Sequence, residues 1–236
     1  MRLYSYIIAR DYGFAPNPFH GYCTLATCKP KIRAVAAVGD WVVGTGAKTR
    51  YGLAGHIIYA MKVAEVLDFE AYWNDPRFRS KRPVLNGSLK LMYGDNIYHR
   101  IGRRWAQADS HHSLDNGNPN PRNIARDTSV NRLLIATQFG YWGSAAPLIP
   151  KRFRAFRATD EDICCDGQGH RVMSEELSAA FEQWLESNGR WGVRGLPLEF
   201  DRNERTAHAV AAGRVSEARR RAVGRNTQAA GGRRSR

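Results

Sequence analysis

The densest run of potentially reactive side chains in the chain is Asp109-Ser110-His111-His112-Ser113. A carboxylate that orients an imidazole, with hydroxyls close by, supplies the residue types of general acid–base or nucleophilic catalysis. Asp109, His111 and His112 are therefore candidate catalytic residues, and Ser110 and Ser113 candidate contacts to a phosphate or a base. Neighbours in sequence need not be partners in chemistry, because the fold assembles catalytic groups. A plain polar loop accounts for the same residues.

A second group is aromatic. A base taken out of its stack is held by ring faces and by hydrogen bonds to its edge. Tyr12, Phe14 and Phe19, in a Gly- and Pro-rich loop, offer walls together with Trp41, Tyr141 and Trp142. The amide of Asn17 can both donate to and accept from a base edge. Burial in a core explains aromatics of this kind equally well, Trp41 above all.

Lys29, Lys31, Arg33, Lys48 and Arg50 form a basic group suited to a nucleic-acid backbone, or to a solvated rim. Lys29, with the backbone around Thr45 and Gly46, is a candidate for close phosphate approach, which glycine permits. The stretch through Lys48 lacks the Gly-x-x-x-x-Gly-Lys spacing of a phosphate loop. Arg100, Arg103 and Arg104 beside Trp105 are residue types that suit a single strand. His20, Cys23 and Cys28 lie close in sequence, but their spacing is poor for zinc and no second close pair exists. No metal and no cofactor is expected.

These groups must be positioned by a handful of elements. Arg2–Arg10 reads as a first strand, Val38–Gly46 as a turn feeding a short apolar strand that ends at glycines, and His56–Phe69 and Asn131–Phe139 as further strands. Glu70–Phe78 begins a helix that should stop near Asp75-Pro76. The segment from Ser80 to Arg126 is rich in Gly, Asn and Pro, with short strands predicted at Leu89–Tyr93 and Asn96–His99 and a loop at Asn118–Pro121. The firmest helix is Glu175–Glu186. Ser174 caps it, Leu177, Ala180, Phe181, Trp184 and Leu185 make one apolar face, and Gly189 suits a left-handed stop. The pattern predicts an α+β fold: a small, strongly bent mixed sheet or barrel with a few peripheral helices.

The formal net charge is +14, from 36 Lys and Arg against 22 Asp and Glu among 236 residues. Residues 202–236 hold ten arginines and two acids. The expected organisation is thus a folded domain over 1–201 and an arginine-rich, largely disordered tail over 202–236. Within it, Arg219, Arg220 and Arg221 are candidate backbone contacts, since guanidinium forks match phosphate. Four cysteines in a chain of this size suit a reducing compartment, so a cytoplasmic location is expected. No apolar stretch has the length of a membrane span, so no membrane partner is expected.

The motifs Tyr4-Ser5-Tyr6, Ala9-Arg10-Asp11-Tyr12-Gly13-Phe14-Ala15-Pro16-Asn17-Pro18-Phe19, Cys23-Thr24-Leu25-Ala26-Thr27-Cys28-Lys29-Pro30 and Val38-Gly39-Asp40-Trp41-Val42-Val43-Gly44-Thr45-Gly46 occur together in this chain. With Asp109–Ser113 and Phe139-Gly140-Tyr141-Trp142-Gly143, they resemble the bacterial and phage family called nucleotide modification associated domain, type 2, over roughly residues 1–200. The Val-Gly-Asp-Trp-Val turn is also similar to an element of small PUA, ASCH and EVE barrels, which accept a base in an aromatic pocket. The resemblance implies a module linked to modified DNA bases. It would hold a nucleotide or base between the Tyr12–Phe19 loop and the Tyr141-Trp142 turn, with nucleic acid, DNA favoured, as partner. The alternative it leaves open is an enzyme acting on a nucleotide or base with an Asp/His acid–base pair.

Overall fold

The computed structural model describes residues 1–165, 167 and 169–200; the expected tail, with Arg219, Arg220 and Arg221, lies outside the described residues. In chain order the elements are β1 (Leu3–Ile8), β2 (Cys23–Leu25), α1 (Pro30–Val35), β3 (Trp41–Gly46), α2 (Lys48–Tyr51), β4 (Ile57–Lys62), β5 (Glu65–Leu67), α3 (Phe69–Asn74), α4 (Leu89–Met92), β6 (Tyr98–Ile101), β7 (Arg104–Gln107), α5 (Pro121–Thr128), β8 (Leu133–Ala136), β9 (Gln138–Tyr141), β10 (Arg171–Val172), α6 (Glu175–Ser187) and β11 (Gly192–Val193).

The expected α+β class is the one found. A six-stranded mixed sheet runs in the order β10-β1-β3-β4-β9-β11, beside a three-stranded sheet β2-β8-β5 and the β6-β7 hairpin. The sheets described are open and none closes into a barrel, so the bent sheet is realised and the PUA-like closure is not. Two strands expected as continuous are broken. His56–Phe69 splits between β4 and β5, and Asn131–Phe139 splits at Thr137 between β8 and β9. Since β4 pairs with β9 and β5 with β8, the two breaks fall side by side, and the chain passes from one sheet to the other there.

Period-two alternation puts both faces of the main sheet in apolar surroundings. On β3, Val42 joins Tyr6, Met61 and Leu134 on one face, whereas Trp41 and Val43 face Leu177, Phe181 and Leu185 of α6. The Ser174 hydroxyl accepts from Leu177 N at 3.3 Å and caps α6 as expected. The helix ends at Asn188, and Gly189 does not take up the left-handed conformation.

Leu89–Tyr93 is helical rather than extended. One helical turn puts Leu89, Met92 and Tyr93 on a common face, and all three are buried. α5 also lies where only a loop was expected. The Asn120 side chain accepts from Arg122 N and Asn123 N, at 3.1 and 3.3 Å, and Pro121 sits at the first helical position.

Gly44 of β3 permits one close approach on which the sheet interior relies. A Cβ there would run into the Tyr59 ring and the end of Ile8. Tyr59 donates to the Tyr6 hydroxyl at 2.9 Å inside this layer. Gly44→Ala is expected to cost about 1–3 kcal/mol by overpacking. A shift in urea midpoint without a change in slope measures it.

Candidate functional site

Three remote segments of chain meet at one cleft of about 340 Å³. Its walls include Tyr6, Arg10, Tyr12, Phe14, Cys28, Lys29, His111 and His112. The outcome depends on how each segment is anchored.

The loop carrying Tyr12 and Phe14 is anchored by Asp11. Its buried carboxylate accepts from Gly13 N at 3.2 Å, Leu198 N at 3.1 Å and the Tyr141 hydroxyl. Burial pushes the Asp11 carboxyl above its ordinary range despite these donors. Asp11 N donates to the Tyr51 hydroxyl at 3.0 Å, and Tyr51 donates to Glu199 at 2.5 Å. Beyond this anchor the ring of Tyr12 packs against Tyr93 and His111, with centroids 5.2 and 4.3 Å apart. Phe14 is buried and makes edge-to-face ring contacts with both His111 and His112.

The second segment turns sharply into α1. Cys28 and Lys29 are consecutive left-handed residues, with φ of 57° and 42°. This conformation costs roughly 1–2 kcal/mol per non-glycine residue. Two ties hold it. Cys28 N donates to Asp127 Oδ1 at 3.1 Å, and Arg33 Nε donates to Cys28 O at 2.9 Å. The Lys29 ammonium rests 4.1 Å from the centre of the Tyr6 ring, and burial lowers its pKa.

The third segment is the 109–113 loop, and its serines are structural. Ser110 N donates to Ser113 Oγ at 3.0 Å, and His112 N to Ser110 Oγ at 3.3 Å. Asn123 of α5 donates to His112 O at 2.8 Å. Asp109 packs against Gly117 and does not line the cleft.

These ties place His112 between two partners that no sequence motif connects. Its Nδ1 lies 2.9 Å from Asp127 Oδ2 on α5, and its Nε2 lies 3.7 Å from Cys28 Sγ. A carboxylate only accepts, so Nδ1 carries the hydrogen and Nε2 is left to face the sulfur. Burial by itself pulls the His112 pKa down, but the hydrogen bonds to Asp127 and Cys28 and their charges outweigh it and raise it to about 9. Asp127 is fully buried, which favours its neutral form. His112 and Arg126 reverse that and bring it down to about 2. Tyr98 adds a further donor to Asp127 at 2.9 Å.

Other sequence candidates are placed elsewhere. Asn17 is buried, its amide donating to Tyr93 O and its oxygen accepting from Lys81 at 2.7 Å, so it presents no edge to a ligand. Phe19 is buried and borders a separate depression with Phe139. Tyr141 is buried behind the Tyr12 loop as the donor to Asp11, while Trp142 belongs to the core on the α6 side. Thr45 donates to Tyr6 O at 3.3 Å, and Gly46 packs against Leu53; both are buried. Arg33 is no backbone contact: it is fully buried and donates to the carbonyls of Cys28, Asp127, Val130 and Arg132. Arg50 pairs with Glu199 at 2.5 Å, while Lys31 and Lys48 stay exposed.

Cys28 and Asp127 were missed as site residues. The Asn120-Pro121 helix start, read here as a loop, is the local signal that could have put Asp127 on a helix; nothing local links it to His112. No group of three or more His, Cys, Asp or Glu suited to a metal ion occurs among the described residues.

The profile of the nucleotide modification associated domain 2 family matches residues 1–204 of the 236. The chain belongs to this family. Membership ties the domain to nucleotide modification. Searches of curated proteins and of solved structures return no match. No helix among the described residues is long and apolar enough to cross a membrane.

The two pKa shifts define a pH window for stability. His112 is raised above its ordinary 6.5, so its contribution is complete below about pH 6.5 and is lost as pH rises through about 9. Asp127 is depressed below 3.8, so its contribution is present above that value and is lost as pH falls toward 2. Urea midpoints recorded from pH 3 to 10 should be highest between these limits, and Asp127→Asn should remove the alkaline decline while lowering the whole curve.

Proposed function

We propose that this cleft holds a nucleotide, or a base presented by nucleic acid, and that the domain serves nucleotide modification by doing so. The observation that carries the reading is the convergence of Tyr12, Lys29 and His111, from three remote segments, on one space of about 340 Å³. Tyr12 and the exposed His111 supply aromatic surface for a base. Lys29 and Arg10 line the same space and supply positive charge for a phosphate, and Lys31 is exposed on the adjoining α1. The arginines of residues 202–236, Arg219, Arg220 and Arg221 among them, would add affinity for DNA through counterion release.

An enzymatic reading of the same cleft is favoured by one specific observation, the contact of His112 with both Asp127 and Cys28. It replaces Asp109 with Asp127 as the carboxylate partner of the histidine.

Binding is tested by titrating the full chain with mononucleotides and with modified and unmodified oligonucleotides across a salt series. Tyr12→Ala should weaken binding by about 1–3 kcal/mol, the usual worth of one stacked base. Lys29→Ala should lower the salt slope by about one phosphate contact. Absence of binding at low salt by the intact chain contradicts the reading.

A further inference from the structure

We propose that Cys28 is a catalytic nucleophile for acyl transfer, with His112 as its acid–base partner and Asp127 as the residue that positions the imidazole. The substrate class is an acyl group carried as an ester, amide or thioester. The acceptor is an amine or hydroxyl of the nucleotide assigned to the cleft, or water; only this acceptor rests on the preceding reading.

The four cysteines differ in what surrounds their sulfur. Cys23 is fully buried, 4.0 Å from Met61 Sδ, and burial pushes its thiol above the usual range. Cys164 is buried in the core against α6. Cys165 is buried and donates to Ser5 O at 2.9 Å. Cys28 is half-buried, lines the cleft, and meets an imidazole nitrogen at 3.7 Å. A nucleophile within reach of a base that is itself oriented by a third group is the arrangement that activates a thiol. Contacts of this kind are often longer without substrate than in the reacting complex.

The arrangement is also built rather than incidental. Asp127 accepts from Cys28 N through Oδ1 and from His112 through Oδ2, so one carboxylate fixes both the backbone of the nucleophile and the ring of its partner. Arg33 clamps the carbonyls of Cys28 and Asp127 from beneath. The charged and titratable groups around the pair are Arg33 from α1, Asp127 and Arg126 from α5, Tyr98 from β6, Tyr6 from β1, and Lys29 and His111 at the cleft.

The chemistry balances with these groups alone and an acyl donor R–CO–X. The Cys28 thiol gives its proton to His112 Nε2, and sulfur attacks the carbonyl carbon. The oxyanion that forms lies in the cleft lined by the Lys29 ammonium, a cation suited to its charge. The C–X bond breaks as His112 returns the proton to X, leaving Cys28–S–CO–R and HX. An acceptor H–Y then attacks the thioester while His112 takes its proton. Collapse releases R–CO–Y, and the proton restores the Cys28 thiol. One basic nitrogen serves both halves, taking the thiol proton in the first and the acceptor's proton in the second.

The test uses the full chain without nucleotide, so failure of nucleotide binding leaves it readable. Iodoacetamide modification of Cys28 is followed by peptide mass spectrometry from pH 5 to 10. His112→Gln should reduce its rate at neutral pH roughly tenfold or more, because the base that takes the thiol proton is gone. His112→Asn serves if circular dichroism shows that His112→Gln misfolds. Incubation with p-nitrophenyl acetate, and separately with acetyl coenzyme A, should leave one acetyl group on Cys28, absent in Cys28→Ser. Identical pH profiles for the wild type and a folded His112 variant overturn the triad. His112-dependent alkylation with no acetyl group on Cys28 from either donor overturns the acyl assignment.

Discussion

One buried carboxylate organises the part of the molecule that carries the cleft. Asp127 sits on a short helix that buries little else, yet it receives Cys28 N, His112 Nδ1, Tyr98 OH and Arg126 Nε. Removing an ion of this kind from water is costly unless every acceptor site is used. The donors come from four stretches of chain, so satisfying the charge also fixes their relative positions. The left-handed turn at Cys28, the ring plane of His112 and the end of the hairpin at Tyr98 are set by the same requirement. A site with this geometry is therefore coupled to the integrity of the fold.

The sheets supply the frame that makes this possible. The paired breaks in β4–β5 and β8–β9 carry the chain from a six-stranded sheet to a three-stranded one. β2, on the smaller sheet, leads to Cys28, while β1, on the larger, leads to the Tyr12 loop. The cleft lies where the continuations of these two strands approach each other. Asp11 plays for the Tyr12 loop the part that Asp127 plays for Cys28. Its carboxylate draws in Tyr141 and Leu198, so the C-terminal end of the described chain helps to anchor the loop that carries Tyr12.

Much of this was legible in the residues, and the failures have physical causes. Amphipathic periodicity with a serine cap located α6, alternation located β1, and a turn before a short apolar run located β3. The single turn within Leu89–Tyr93 defeated the reading because five residues with apolar positions at both spacings fit either period. α5 was hidden by a loop signal, Asn-Pro-Asn-Pro, whose last two residues are also a helix start. At the cleft, the 109–113 cluster supplies His111 and His112, but the carboxylate beside His112 is Asp127 and not Asp109. Spacing can rank candidates within a segment, but the pairing of His112 with a residue 15 positions later depends on how α5 docks. Arg33 misled for a related reason. A guanidinium in a basic run looks solvent-facing, whereas here burial is made tolerable by four backbone carbonyls.

The account stands on the nucleotide and the Cys28 thiol sharing one space. The most direct measurement is the alkylation rate of Cys28 with and without a nucleotide at a concentration shown independently to saturate the protein. A shared cleft predicts that the bound nucleotide slows modification of Cys28. Bound nucleotide with an unchanged Cys28 rate would place the ligand elsewhere and contradict the account.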